Sequence, residues 1–140
     1  MKKTLLLLTA FLMTIYSFAN SITINNNSNA TFYYSLRGEE VYNDGTTYFE
    51  SPEIMIAPGD VVHFDNPSQV PGLEYLDATA TFIFIKGYSP DCPGADMSVG
   101  CDGNTYSMSF TGPNPSICSP LIYGIMYSGG CGQNSVVMIF

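Results

Sequence analysis

The clearest pattern in the chain is an alternation of apolar and polar side chains, with a period of two, repeated in short runs. Across Ala30–Arg37, Ala30, Phe32, Tyr34 and Leu36 fall on one side and Thr31, Tyr33, Ser35 and Arg37 on the other. Successive side chains of a strand point to opposite faces of its sheet, so this run predicts a strand with one packed and one wet face. Ser21–Ile24 alternates in the same way. Val61–Asp65 sets Val62 and Phe64 against Val61, His63 and Asp65, and Thr105–Phe110 sets Tyr106, Met108 and Phe110 against Thr105, Ser107 and Ser109. Three other runs are apolar on both sides: Ala78–Ile85 (Phe82 and Phe84 opposite Ile83 and Ile85), Leu121–Tyr127 and Val136–Phe140. Strands covered on both faces read this way. Ala78–Ile85 is therefore expected to be central, and the C-terminal run to lie within a sheet.

Turn chemistry separates these runs: Asn25–Asn29, Ala57–Asp60, Asn66–Gly72 and the long stretches Ser89–Asn104 and Thr111–Ser119. Glu39–Tyr42 and Thr46–Glu50 flank Asn43-Asp44-Gly45, a hairpin signal, because a type I′ turn takes positive φ at both central residues. A two-residue turn at Asp-Gly would set Val41 across from Tyr48 and Glu39 across from Glu50. Facing carboxylates repel unless a cation or solvent intervenes. Ile54–Ile56 adds a short strand before the Pro-Gly turn. The count is eight to ten short strands with no convincing helix, which predicts an all-β fold, an antiparallel β-sandwich, with a closed barrel as second choice.

The N-terminus changes the compartment. Lys2 and Lys3 precede an apolar run, Leu5–Ile15, and Ser17-Phe18-Ala19 offers a small-x-small cleavage site. Residues 1–19 are read as a secretory signal peptide, leaving 20–140 as a single domain. The apolar run is short for a membrane span of about 20 residues, so no transmembrane segment is expected in the mature chain. The destination is secreted, periplasmic or cell-surface, and the short basic start suits a bacterial exporter. The strands are also shorter than the roughly 9–11 residues of an outer-membrane barrel.

Charge narrows the partners. Residues 20–140 keep Arg37 and Lys86 against twelve acids, a net charge of 2 − 12 = −10. Nucleic acids and anionic lipid surfaces need clustered Lys and Arg, and are excluded on that ground.

Four cysteines in an exported chain predict two disulfides. Closing one local loop each favours Cys92–Cys101 with Cys118–Cys131. The spacings are too wide for a zinc site, and no Cys-x-x-Cys supports redox work.

The candidate chemistry is sparse. Asp91, Asp96, Asp102 and Asn104 gather oxygens around one cysteine loop and would suit Ca²⁺, although the order is not that of an EF-hand and turns use the same residues. Glu39 and Glu50 form a weaker cation candidate. His63, the only histidine, shares a strand face with Asp65, but no Gly-x-Ser-x-Gly elbow supplies a nucleophile. The chain is therefore expected not to be an enzyme. Tyr33 on its wet strand face, and Tyr42 or Tyr48 in the hairpin, are the ligand-binding candidates, able to stack on a sugar ring or anchor a protein.

The words Ile56–Asn66, with Pro58-Gly59-Asp60-x-Val62 at their centre, resemble the strand pair of cupredoxin-like sandwiches. The resemblance spans about a turn and its flanking strands and implies a sandwich. It does not extend to copper, because a type 1 site takes two histidines and a cysteine. The function expected is extracellular recognition of a glycan or protein partner. The alternative is a structural subunit of a surface fibre or matrix that self-associates through edge strands.

Overall fold

The computed structural model describes residues 20–92, 96–101, 105–106 and 124–140. The expected signal peptide, Asp102, Asn104, Cys118 and the run from 107 to 123 lie outside the described residues. The strands are β1 (Ile22–Asn26), β2 (Phe32–Tyr42), β3 (Gly45–Glu50), β4 (Ile54–Ile56), β5 (Val61–Phe64), β6 (Thr81–Tyr88), β7 (Met97–Gly100), β8 (Thr105–Tyr106), β9 (Ile125–Ser128) and β10 (Ser135–Ile139). Among the described residues one 3₁₀ turn, Pro67–Gln69, interrupts them. No helix among the described residues is long and apolar enough to cross a membrane.

Two sheets form the sandwich. The smaller runs β5-β1-β10-β9; the larger runs β3-β2-β6-β7-β8, with β4 also paired to β2. Pairing is antiparallel with one correction to the expectation: β1 and β10 run parallel, Ile22 beside Ser135 and Asn26 beside Ile139. The C-terminal strand lies inside its sheet, between β1 and β9, but only one of its apolar faces is covered: Val137 and Ile139 are buried, whereas Val136 is exposed.

The alternating residues of β2 go where their pattern sends them. Phe32, Tyr34 and Leu36 are fully buried and meet Ile22, Ile24, Val137 and Ile139 from the smaller sheet. β6 is central, but its phase differs from the simple alternation. A β-bulge falls between Arg37 and Gly38 of β2, so that Arg37 pairs with Phe84 and Gly38 with Phe82, skipping Ile83. The extra residue reverses the facing of the strand: Phe82 and Ile85 are buried, while Phe84 is only partly covered. Gly38 and Gly87 permit close packing beneath β2 and β6. A Cβ on Gly38 would lie 2.2 Å from the Phe49 ring, and one on Gly87 would lie 2.7 Å from the Phe32 ring.

The hairpin register also differs. Tyr42 pairs with Gly45, so Asn43-Asp44 form the turn, and neither has positive φ, which rules out type I′. Arg37 therefore faces Glu50, Glu39 faces Tyr48, and Val41 faces Thr46. The expected carboxylate pair is replaced by a cation–carboxylate pair. At the step from β3 to β4, Ser51 keeps hold of β2: its N–H donates to the Leu36 carbonyl (2.8 Å) and its Oγ accepts from the Leu36 N–H (2.9 Å).

Asn26, fully buried, ties the sheets together at one end. Its amide nitrogen reaches the carbonyls of Ala30 (2.9 Å) and Ile56 (3.2 Å), and its Oδ1 accepts from the Ser28 hydroxyl (2.6 Å). The Pro58-Gly59 turn carries the chain from β4 in the larger sheet to β5 in the smaller, with Gly59 N–H donating to Asn26 O (2.7 Å).

The disulfide arrangement overturns the local pairing. Cys101 is bonded to Cys131, 30 residues away, with Cα atoms 4.9 Å apart. Cys101 follows β7 and Cys131 sits in the β9–β10 turn, so this bridge joins the two sheets. It excludes both Cys92–Cys101 and Cys118–Cys131. Cys92 is fully buried and disulfide-bonded.

Candidate functional site

The outward face of the larger sheet gathers Arg37 and Lys86, the two cations of residues 20–140. Register places Ser35 of β2 beside Lys86 of β6, and Arg37 beside Glu50 of β3, all on the side away from the core. Glu50 reaches across β2 to hold both. Arg37 Nε donates to Glu50 Oε2 at 2.8 Å, Arg37 Nη2 lies 2.7 Å from the same oxygen, and Lys86 Nζ lies 2.6 Å from Oε1. The Ser35 hydroxyl adds a donor to Oε1 at 3.2 Å. Lys86 first, and then Arg37, hold the Glu50 carboxyl down to about 2. All three charged side chains are still half in solvent.

This charged ridge separates two hollows. One, of about 660 Å³, is lined by Arg37, Glu39, Tyr48, Phe49, Glu50 and Phe84, together with Cys101 and Cys131. The other, of about 510 Å³, is lined by Tyr33, Glu53, Lys86, Tyr88, Asp96 and Ser98. Tyr33 and Tyr88 are a cross-strand pair whose rings stack, with centroids 5.7 Å apart and planes at 16°. The Tyr88 hydroxyl donates to Glu53 (3.4 Å), and burial, followed by the Glu53 charge, raises its pKa. At the opposite end Tyr48 stands 71% exposed.

Two of the three tyrosines predicted from sequence, Tyr33 and Tyr48, thus share one face. Tyr42 does not. It points to the other side of the hairpin and donates its hydroxyl to Glu40, which pushes its pKa up to about 12. Glu40 is itself buried and accepts from the Asp77 N–H at 2.9 Å, so this pair fastens the 73–77 loop to β2. The Glu50, Arg37 and Lys86 group was missed by sequence reasoning. A usable signal existed: the only two cations of residues 20–140 both fall at outward positions of neighbouring strands.

The acidic loop is divided. Asp91 Oδ2 accepts from the Thr31 N–H at 3.0 Å, and Asp96 lies at the edge of the second hollow. Among the described residues no three His, Cys, Asp or Glu side chains are grouped to hold a metal ion.

His63 lies on the outward face of the smaller sheet. Its Nδ1 is 2.8 Å from Thr23 Oγ1, and its Nε2 is 3.0 Å from Asp65 Oδ1. Gln69, and then His63, lower the Asp65 pKa. Hydroxyl, imidazole and carboxylate thus stand in line on this face. Thr23 sits in a strand laddered on both sides, to Val136 and to His63.

No protein-family model matches the chain, and neither does a curated protein or a solved structure.

Proposed function

We propose that this chain is an exported, non-enzymatic recognition module that meets a glycan or protein partner outside the cell with the outward face of its larger sheet. The observation that carries the reading is the convergence of Arg37 and Lys86 on Glu50, between two hollows edged by Tyr33, Tyr88 and Tyr48. Nothing in the core needs these residues, because their side chains stand on the solvent side. Tyrosine and arginine are the residue types that most often anchor binding, since each offers a large, stiff surface and a polar tip. The two sheets behind them supply rigid backing.

The test is a parallel screen of the secreted protein, as wild type and as Tyr33→Ala and Tyr48→Ala, against immobilised glycans and extracellular matrix proteins. Binding that falls at least tenfold in both variants supports the reading. Binding unchanged in both would place recognition elsewhere or nowhere.

A second reading, a self-associating structural subunit, is favoured by one specific feature. The outward face of the smaller sheet exposes Val61, Met126, Val136 and, just beyond β10, Phe140. Its end strands are β5 and β9, and β5 pairs only with β1 among the described residues, which leaves that strand's outer side for a further strand.

A further inference from the structure

We infer that the ligand of this face is a neutral oligosaccharide lying across both hollows and over the charged ridge between them; the inference rests on the recognition reading above. Three observations lead to it.

The first is charge. The face carries Arg37 and Lys86 against Glu39, Glu50, Glu53 and Asp96, a balance of 2 − 4 = −2 within a domain of −10. Both cations are already engaged by Glu50, so no positive charge is left over for a uronate, sulfate or phosphate.

The second is the nature of that centre. Protein–protein interfaces tend to be depleted of charge at their core and dry there. Docking a protein here would strip water from three charged side chains, a penalty their mutual attraction does not reliably repay. A sugar does not impose it. Each hydroxyl both donates and accepts, so neighbouring hydroxyls can replace water on a guanidinium and a carboxylate held side by side. Ser35 and Ser98 extend the same mixed pattern.

The third is the placing of the aromatic rings. Tyr33 and Tyr88 stand at one end of the face, and Tyr48, opposite Glu39, at the other. From Tyr33 to Glu39 along β2 is roughly 20 Å at the rise of an extended strand. One sugar ring cannot touch both ends; a chain of several can, its C–H faces resting on tyrosine and its hydroxyls on the ridge.

The experiment is calorimetric titration of the secreted protein with neutral hexose and N-acetylhexosamine oligomers of two to six units, and with uronate and sulfated oligomers as comparison. The expected result is binding of a neutral series that tightens with length and then levels off, and changes less than twofold between low and high salt. Tyr48→Ala and Tyr88→Ala should each weaken the longest oligomer at least tenfold. The shortest should lose affinity in only one of them. Amide shifts of the wild-type protein with the six-unit oligomer should cluster around Arg37, Tyr48, Lys86 and Tyr88, a readout independent of any variant's folding. Binding confined to the anionic oligomers with steep salt dependence, shifts elsewhere, or no binding of any neutral oligomer would overturn the inference. If neutral sugars fail while Tyr48→Ala abolishes binding to a matrix protein, the glycan falls and the recognition face stands. If no substitution on the face alters any binding, both fall.

Discussion

Glu50 accepts from three side chains at once, and its position decides what acid does to the fold. Its carboxyl is held at about 2 in the folded protein against an ordinary 4.5. Folding therefore favours the ionised form: the contribution is complete above about pH 4.5 and drains away as the pH falls towards 2. The group and both its partners are well exposed, so solvent screening limits the effect to about 1 kcal/mol. Urea titrations at pH 6 and pH 2.5 should show that much less of a loss in Glu50→Gln than in wild type. An equal loss in both proteins would remove Glu50 from the account. Gly38 supplies a second prediction at this scale. A Cβ there would fall 2.0 Å from the Thr81 carbonyl oxygen, which as backbone has little room to yield. Gly38→Ala should destabilise by at least about 1–3 kcal/mol, the cost of overpacking, read as a lower urea midpoint with unchanged slope.

At the scale of elements, the bridge between β7 and the β9–β10 turn is the most consequential link that local sequence did not reveal. It closes a separation of 30 residues, for which the chain-entropy model gives roughly 3.5 kcal/mol. Cys131 is exposed, whereas Cys92 is fully buried. Graded reduction followed by alkylation and peptide mapping should label Cys101 and Cys131 before Cys92, and the unreduced protein should yield a peptide pair joining Cys101 to Cys131 and none joining Cys118 to Cys131. Labelling of Cys92 first would contradict the burial order. The strands were legible because alternation is local: Phe32, Tyr34 and Leu36 announce their burial without reference to the rest of the chain. The bulge opposite Arg37 was not, since one unpaired residue at Ile83 arises from the fit of β6 against β2. The same holds for the hairpin, where Asp-Gly named the right turn but not its register, and Glu50 consequently faces Arg37 instead of Glu39. Tyr33 and Tyr48 were legible as outward-facing strand aromatics, half-buried and exposed respectively. Lys86 was hidden because only the pairing of β2 with β6 brings it within reach of Glu50. Cys101 and Cys131 meet only once two sheets have stacked.

At the scale of the whole molecule, charge is distributed unevenly in a way that bears on association. Of twelve acids, none lies in β1, β5, β9 or β10, while β2 and β3 alone hold Glu39, Glu40 and Glu50. The strands of the smaller sheet thus carry no acid of their own; Asp65, just beyond β5, reaches His63 at one edge of the outward side, and that side exposes Val61 (59%), Val136 (43%) and Phe140 (43%). Two copies of residues 20–140, each −10 by composition, repel at a distance, and the repulsion reaches about 10 Å in 0.1 M salt and about 3 Å in 1 M. Self-association through the smaller sheet should therefore be suppressed at low ionic strength and appear as salt is raised, the opposite of what a charge-driven contact would do. Sedimentation equilibrium at rising protein concentration should give a monomer in dilute buffer and an increasing average mass in 1 M NaCl. Val136→Glu places a carboxylate in the middle of the surface and should restore the monomer at high salt, while Tyr48→Ala, on the opposite sheet, should leave the mass unchanged. A monomer at every salt concentration would sink the structural-subunit reading. Association that Tyr48→Ala abolishes and Val136→Glu does not would move the self-contact to the larger sheet, where it would compete with the ligand.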